Sequence, residues 1–167
     1  MPRLFVAVYP PPDVVETLAA LPRGASEGVR WVPPDQYHVT IRFLGDAETE
    51  PVIAALDQVV PTLSRSAVVL GPQVSRLGRN VVCVPATGLE VIAGAIAGAT
   101  AHFGIPPDPR PFRGHVTLAR LRRRAACGLA GTAFDATFEA GGVHLVESIT
   151  RSGGAEHSLV CSWQLSA

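Results

Sequence analysis

The tripeptide His-Val-Thr stands at residues 38–40 and again at 115–117, 77 residues further along a chain of 167. Each copy follows a proline-rich loop, Pro33-Pro34 before the first and Pro106 to Pro111 before the second. Each also opens an alternating run that reads as a β-strand. Side chains alternate across a strand, so His38, Thr40 and Arg42 are predicted on one face and Val39, Ile41 and Phe43 on the other. The second copy repeats the pattern, with His115 and Thr117 against Val116 and Leu118. One face is core; the other presents an imidazole beside a hydroxyl. A unit placed once in each half predicts two similar lobes that bring the two His-x-Thr pairs face to face.

That pairing suits phosphate chemistry. With an ordinary pKa near 6.5, one imidazole can take a proton while the other gives one. The threonine hydroxyls can hold non-bridging oxygens as donors aimed where charge develops. A single strand histidine satisfied by backbone would need no task, but titratable groups are rarely half-buried twice in one pattern without one. No His-Glu-x-x-His, aspartate cluster or cysteine ligand set accompanies the pair, so no metal and no cofactor are expected.

The rest of the chain bounds the setting. Hydrophobic residues make up 47% of it, enough for one domain over residues 1–167, built as two intimately packed lobes. Net charge is zero, so a broad basic footprint for long nucleic acid is not expected. All fourteen basic residues are arginine, which excludes a nucleotidyl-lysine intermediate. Positive charge gathers at Arg110, Arg113 and Arg120 to Arg124, a local patch suited to phosphates upstream of an RNA end. Cys83, Cys127 and Cys161 are widely spaced and read as free thiols of a reducing compartment. Pro10-Pro11-Pro12 cuts the opening apolar run short of signal-peptide length, and no run approaches a membrane span. A soluble, cytoplasmic, monomeric protein is the expectation.

In order, the pattern reads as a strand at 4–9, a helix from Asp13, the first motif strand at 37–44 and a helix from Thr49 to about Val60. Strand pieces at 67–70, 74–77 and 81–84 follow, then a helix over 89–103, the second motif strand at 115–121, and closing strands at 137–140, 143–148 and 158–165. Runs of strands punctuated by a few helices indicate an α+β fold rather than a doubly wound parallel sheet.

The stretch from Trp31 to Gly45, together with Phe112 to Arg120, resembles the two signature segments of the 2H phosphoesterase superfamily. Within it the chain is most similar to the bacterial and archaeal RNA 2′,3′-cyclic phosphodiesterases, historically called 2′-5′ RNA ligases. The resemblance implies two pseudo-symmetric lobes, each an antiparallel sheet with outer helices, and an active-site cleft between them. It implies a metal-independent enzyme that hydrolyses RNA 2′,3′-cyclic phosphate ends to 2′-phosphates, with weak 2′-5′ ligation by reversal. By the family's usual assignment His115 is the base that activates water and His38 the acid that protonates the 2′ oxygen; the sequence leaves those two roles interchangeable. Thr40 and Thr117 would hold phosphate oxygens. Arg120 matches a phosphate-side arginine, yet strict alternation puts it opposite His115, so a bulge or strand end is required. Arg42 is on the correct face by the same count. Phe43 continues the first motif as a possible base contact or as core packing, and Trp31 and Phe112 are candidates for stacking a terminal base. His157 stands where relatives often carry tyrosine, and His144 reads as structural. Small cyclic nucleotides are a second possible substrate class, and a non-catalytic RNA-end-binding module is the alternative outside catalysis.

Overall fold

A computed structural model describes residues 1–24, 27–122 and 125–167. Ten strands and three α-helices make it up: β1 Arg3–Val8, α1 Pro12–Ala19, β2 Val29–Trp31, β3 Val39–Asp46, α2 Thr49–Val59, β4 Ser66–Leu70, β5 Ser75–Leu77, β6 Val81–Thr87, α3 Glu90–Ala99, β7 His115–Leu121, β8 Ala136–Ala140, β9 Gly142–Arg151 and β10 Gly154–Gln164. No helix is long and apolar enough to cross a membrane among the described residues.

The strands form a curled antiparallel sheet in the order β10-β9-β1-β3-β7-β6-β4-β8, with β2 on β7 and β5 on β6. The α+β expectation holds, and the two halves are joined edge to edge. Their seam is thin: β3 and β7 share one pair, Val39 opposite Val116. Those valines each follow a motif histidine, so the local twofold of the antiparallel pair relates the two motifs. The pairing brings the start of β3, just after His38, to the start of β7 at His115.

The two sheet faces have different jobs. Leu4, Val6 and Val8 of β1 join Val39, Ile41, Val116 and Leu118 with Val52 and Leu56 of α2 and Ile92 and Ile96 of α3 in the main core. Phe5 and Ala7 point the other way and, with Val146 and Tyr9, form a small apolar floor. Burying β1 on both faces fixes its register strongly, because a one-residue slip would exchange the faces.

Candidate active site

Both motif histidines are fixed in the same manner. His38 Nδ1 donates to the Gln36 carbonyl at 2.7 Å, and His115 Nδ1 donates to the Arg113 carbonyl at 2.9 Å. Each acceptor lies two residues earlier, in the loop that delivers the strand, so the proline-rich approach sets the ring orientation. With Nδ1 carrying the proton, Nε2 of the neutral ring is left as the lone-pair atom. His38 Nε2 meets Thr40 Oγ1 at 3.1 Å. In a regular antiparallel pair, diagonal neighbours such as His38 and His115 lie about 7–8 Å apart. The two rings are near enough for the charge of His115 to bear on His38.

The surroundings of His38 are apolar and cationic at once. The Phe5 ring lies 5.0 Å from it, the Tyr9 ring 5.9 Å and the His157 ring 5.5 Å at 79°. Burial is the main cause that pushes its pKa down to about 4; the bond to the Gln36 carbonyl opposes this, and positive charge at His157, His115 and Arg120 adds to it. The imidazole is therefore neutral near pH 7. Burial also lowers His157, against the pull of the Asp35 carboxylate. His157 Nδ1 is buried with no hydrogen-bond partner. His144 stacks edge-on against Tyr9 at 5.2 Å and meets the Ser162 hydroxyl at 2.8 Å.

A one-residue bulge in each motif strand rearranges the predicted faces. In β3, Val6 pairs with Arg42 and Ala7 with Thr40, which leaves Ile41 unpaired. In β7, Val82 pairs with Ala119 and Cys83 with Thr117, which leaves Leu118 unpaired. Directly opposed residues share a face, so Phe43, opposite Phe5, lies on the His38–Thr40 face. Arg120, opposite Val81, lies with His115 and Thr117. This is the bulge that Arg120 required. Phe43 is 39% exposed, with the Arg3 guanidinium 5.2 Å from its ring centroid.

The same bulge corrects the expectation for Arg42. It turns away from the cleft and is 5% exposed. Its guanidinium donates to the Thr100 hydroxyl and to the carbonyls of Phe43, Thr100, Phe103 and Ile105. It ties β3 to the end of α3 and is not available to a phosphate.

Trp31 and Phe112 are corrected as well. Trp31 pairs opposite Ala119, on the face away from Arg120, where it packs on the main core under the Arg23 guanidinium. Phe112 packs on that core too, with its ring against Gly114, where a Cβ would approach it to 3.1 Å. Trp31 thus faces away from Arg120, and both rings are partly buried against the core. In the basic patch, Arg110 is paired with Asp108 at 2.6 Å, while Arg123 and Arg124 lie outside the described residues. Among the described residues no group of three or more His, Cys, Asp or Glu is gathered as a metal would need.

Phe5 and Tyr9 were not foreseen as lining this face, and His157 was singled out only through the family resemblance. The alternation of β1 holds a signal for the first two, since Phe5, Ala7 and Tyr9 fall on one side. His157 has no local signature; only the pairing of β10 with β9 brings it in.

Comparison with known proteins follows the same lines. Residues 8–74, which include the first motif, match the family model described as LigT like Phosphoesterase. Over that segment the chain is similar to the LigT-like phosphoesterases. E. coli LigT complexed with 3′-AMP shares the fold at a TM-score of 0.80, with 23% identity over 99% of each chain. TT0787 of Thermus thermophilus does so at 0.77, with 22% identity over 98% of this chain and 97% of that one. E. coli LigT complexed with NADP+ aligns at 0.75 with 21% identity over 99% of each chain. No curated protein matches by sequence.

Proposed function

We propose that this chain opens 2′,3′-cyclic phosphate ends of RNA to 2′-phosphates, with His38 and His115 as the proton-transfer pair. The observation that carries the reading is the seam itself. Two His-x-Thr units are related by a local twofold, each ring tied at Nδ1 to a carbonyl, with His38 Nε2 beside the hydroxyl of its own Thr40. The nucleotides bound to E. coli LigT add support for a nucleotide ligand here.

In the reaction His115 Nε2 takes a proton from water as the water oxygen attacks phosphorus, the bond from phosphorus to O3′ breaks, and His38 Nε2–H delivers its proton to O3′. A 2′-phosphate product requires this leaving oxygen, which corrects the expectation that the 2′ oxygen is protonated. One water is added, and the charge that develops on the non-bridging oxygens is met by Thr40, Thr117 and Arg120.

The proton on His38 comes with the substrate. An anion about 4 Å away at an effective dielectric near 20 is worth about 4 kcal/mol, or about three pKa units. That offsets the depression that burial causes. Protonation also releases Thr40. Its single hydroxyl proton faces Nε2 when the ring is neutral, and it can turn to a phosphate oxygen once Nε2 is itself a donor.

The test is a chelator-treated assay of a short RNA ending in a 2′,3′-cyclic phosphate, with the product isomers resolved. Turnover to the 2′-phosphate is expected. No turnover, or a 3′-phosphate product, would overturn the reading.

A further inference from the structure

Arg120 has neighbours of its own kind. On β2, Arg30 is directly opposite Arg120, and Arg122 follows two residues later, its amide bonded to the Gly28 carbonyl at 2.8 Å. Cross-strand pairing and alternation put all three guanidinium groups on one face. They line a depression of about 450 Å³ with Gly28, Val29 and Leu121. Like charges directly opposite each other on a sheet are destabilising. None of the three has a carboxylate partner among the described residues, whose ion pairs join Arg65 to Glu139, Arg110 to Asp108 and Arg151 to Glu156.

Arg30 is also held in place. It donates to the Gly153 carbonyl at 3.0 Å and lies so close over Gly154 that a Cβ there would run into its guanidinium. The β9–β10 turn is thereby fastened to β2, and Gln36 repeats the device by donating to the Ala155 carbonyl at 2.8 Å. The cationic depression therefore has a fixed wall, and it begins where the phosphate-side arginine of the candidate site ends.

We propose that Arg30, Arg120 and Arg122 form a subsite for a second phosphate of the same substrate, which makes the substrate class an oligonucleotide rather than a nucleoside cyclic phosphate. The inference rests on the RNA-end reading above. Arg120 serves both groups: the reacting phosphate lies toward His115 and Thr117, and the phosphodiester one nucleotide upstream lies toward Arg30 and Arg122. Two residues of strand span about 7 Å, a spacing on the scale of successive phosphates along an extended single strand. The subsite supplies positioning and charge and takes no part in bond breaking.

The test compares kcat/KM for a nucleoside 2′,3′-cyclic phosphate, the same compound with a 5′-phosphate, and a dinucleotide ending in the cyclic phosphate, using wild type, Arg122→Gln, Arg30→Gln and the remote surface variant Arg79→Gln. Wild type is expected to prefer the dinucleotide over the nucleoside by about tenfold or more, the worth of one charge-assisted contact. Arg122→Gln and Arg30→Gln should erase most of that preference and lower the salt slope of the dinucleotide reaction by about one; Arg79→Gln should retain both. Equal use of dinucleotide and nucleoside by wild type would overturn the subsite and leave the cyclic phosphodiesterase reading standing. A gain with the 5′-phosphorylated compound alone would overturn the oligonucleotide assignment. If no substrate turns over, the phosphodiesterase reading fails instead, and fluorescence anisotropy with a labelled short RNA decides the subsite. Weaker binding by Arg122→Gln supports it, and unchanged binding overturns it.

Discussion

Phe43 and Arg120 hold equivalent places in the two halves of the molecule: each stands five residues beyond its motif histidine, and each is carried to the His–Thr face by a one-residue bulge. The twofold that duplicates the histidines and threonines thus ends in a difference, an exposed aromatic ring on one side and a cation on the other. On the proposed RNA-end reading, that difference gives the substrate a direction, base toward Phe43 and anion toward Arg120.

Phe43→Ala should therefore weaken substrate binding with little effect on the chemical step. A stacked base is worth about 1–3 kcal/mol, so KM for a cyclic-phosphate RNA should rise several-fold or more while kcat stays near wild type. Thermal stability should hardly change, because the ring is 39% exposed. Steady-state kinetics alongside a melting curve checks both halves.

Arg120→Gln should act on the reaction. A charge-assisted contact to a developing phosphate charge is worth about 1.5–3 kcal/mol, so kcat/KM should fall by about tenfold to a hundredfold. The urea midpoint should stay close to that of wild type, since Arg120 makes no ion pair among the described residues.

Arg42→Met should show the opposite split. Removing the guanidinium strands the carbonyls of Thr100, Phe103 and Ile105. Each buried unsatisfied group costs about 1–3 kcal/mol, so a loss of about 3 kcal/mol or more is expected in urea unfolding. Activity of whatever remains folded should persist at low temperature.

The pH dependence of stability carries the signature of His38. Its folded pKa is held down to about 4, below the unfolded value near 6.5, so between those values the unfolded chain binds more protons. Stability therefore rises with pH through that window and is lost as pH falls, by up to about 3 kcal/mol from this group. His38→Asn should flatten the slope in urea titrations at fixed pH. Saturating sulfate should flatten it in wild type, because a bound anion returns the folded pKa toward its ordinary range.

These contrasts mark where the sequence was legible and where it was not. Alternation from His38 to Thr40 and from His115 to Thr117 holds because no bulge intervenes within the tripeptides. One residue later the count fails in both strands, at Ile41 and Leu118, and nothing in those apolar residues announces that they will be the unpaired ones. Arg42 was misassigned for that reason alone. Phe43 was left open between two faces, and Arg120 was reachable only by requiring the bulge. Trp31 and Phe112 flank the motifs in sequence, but both are partly buried against the core, and β2 pairing puts Trp31 on the face away from Arg120. His157 and Arg30 depend on long-range pairing of β10 with β9 and of β2 with β7, which no local pattern encodes.

The central claim is that His38 and His115 act as one proton-transfer unit, and the most direct test is kcat for cyclic-phosphate opening in His38→Ala, His115→Ala and the double variant. Each single variant should lose about 10²–10⁴-fold, and the double variant should fall no further than the worse single, as groups that act together do. Losses that multiply in the double variant, or a single variant that keeps wild-type turnover, would contradict the account.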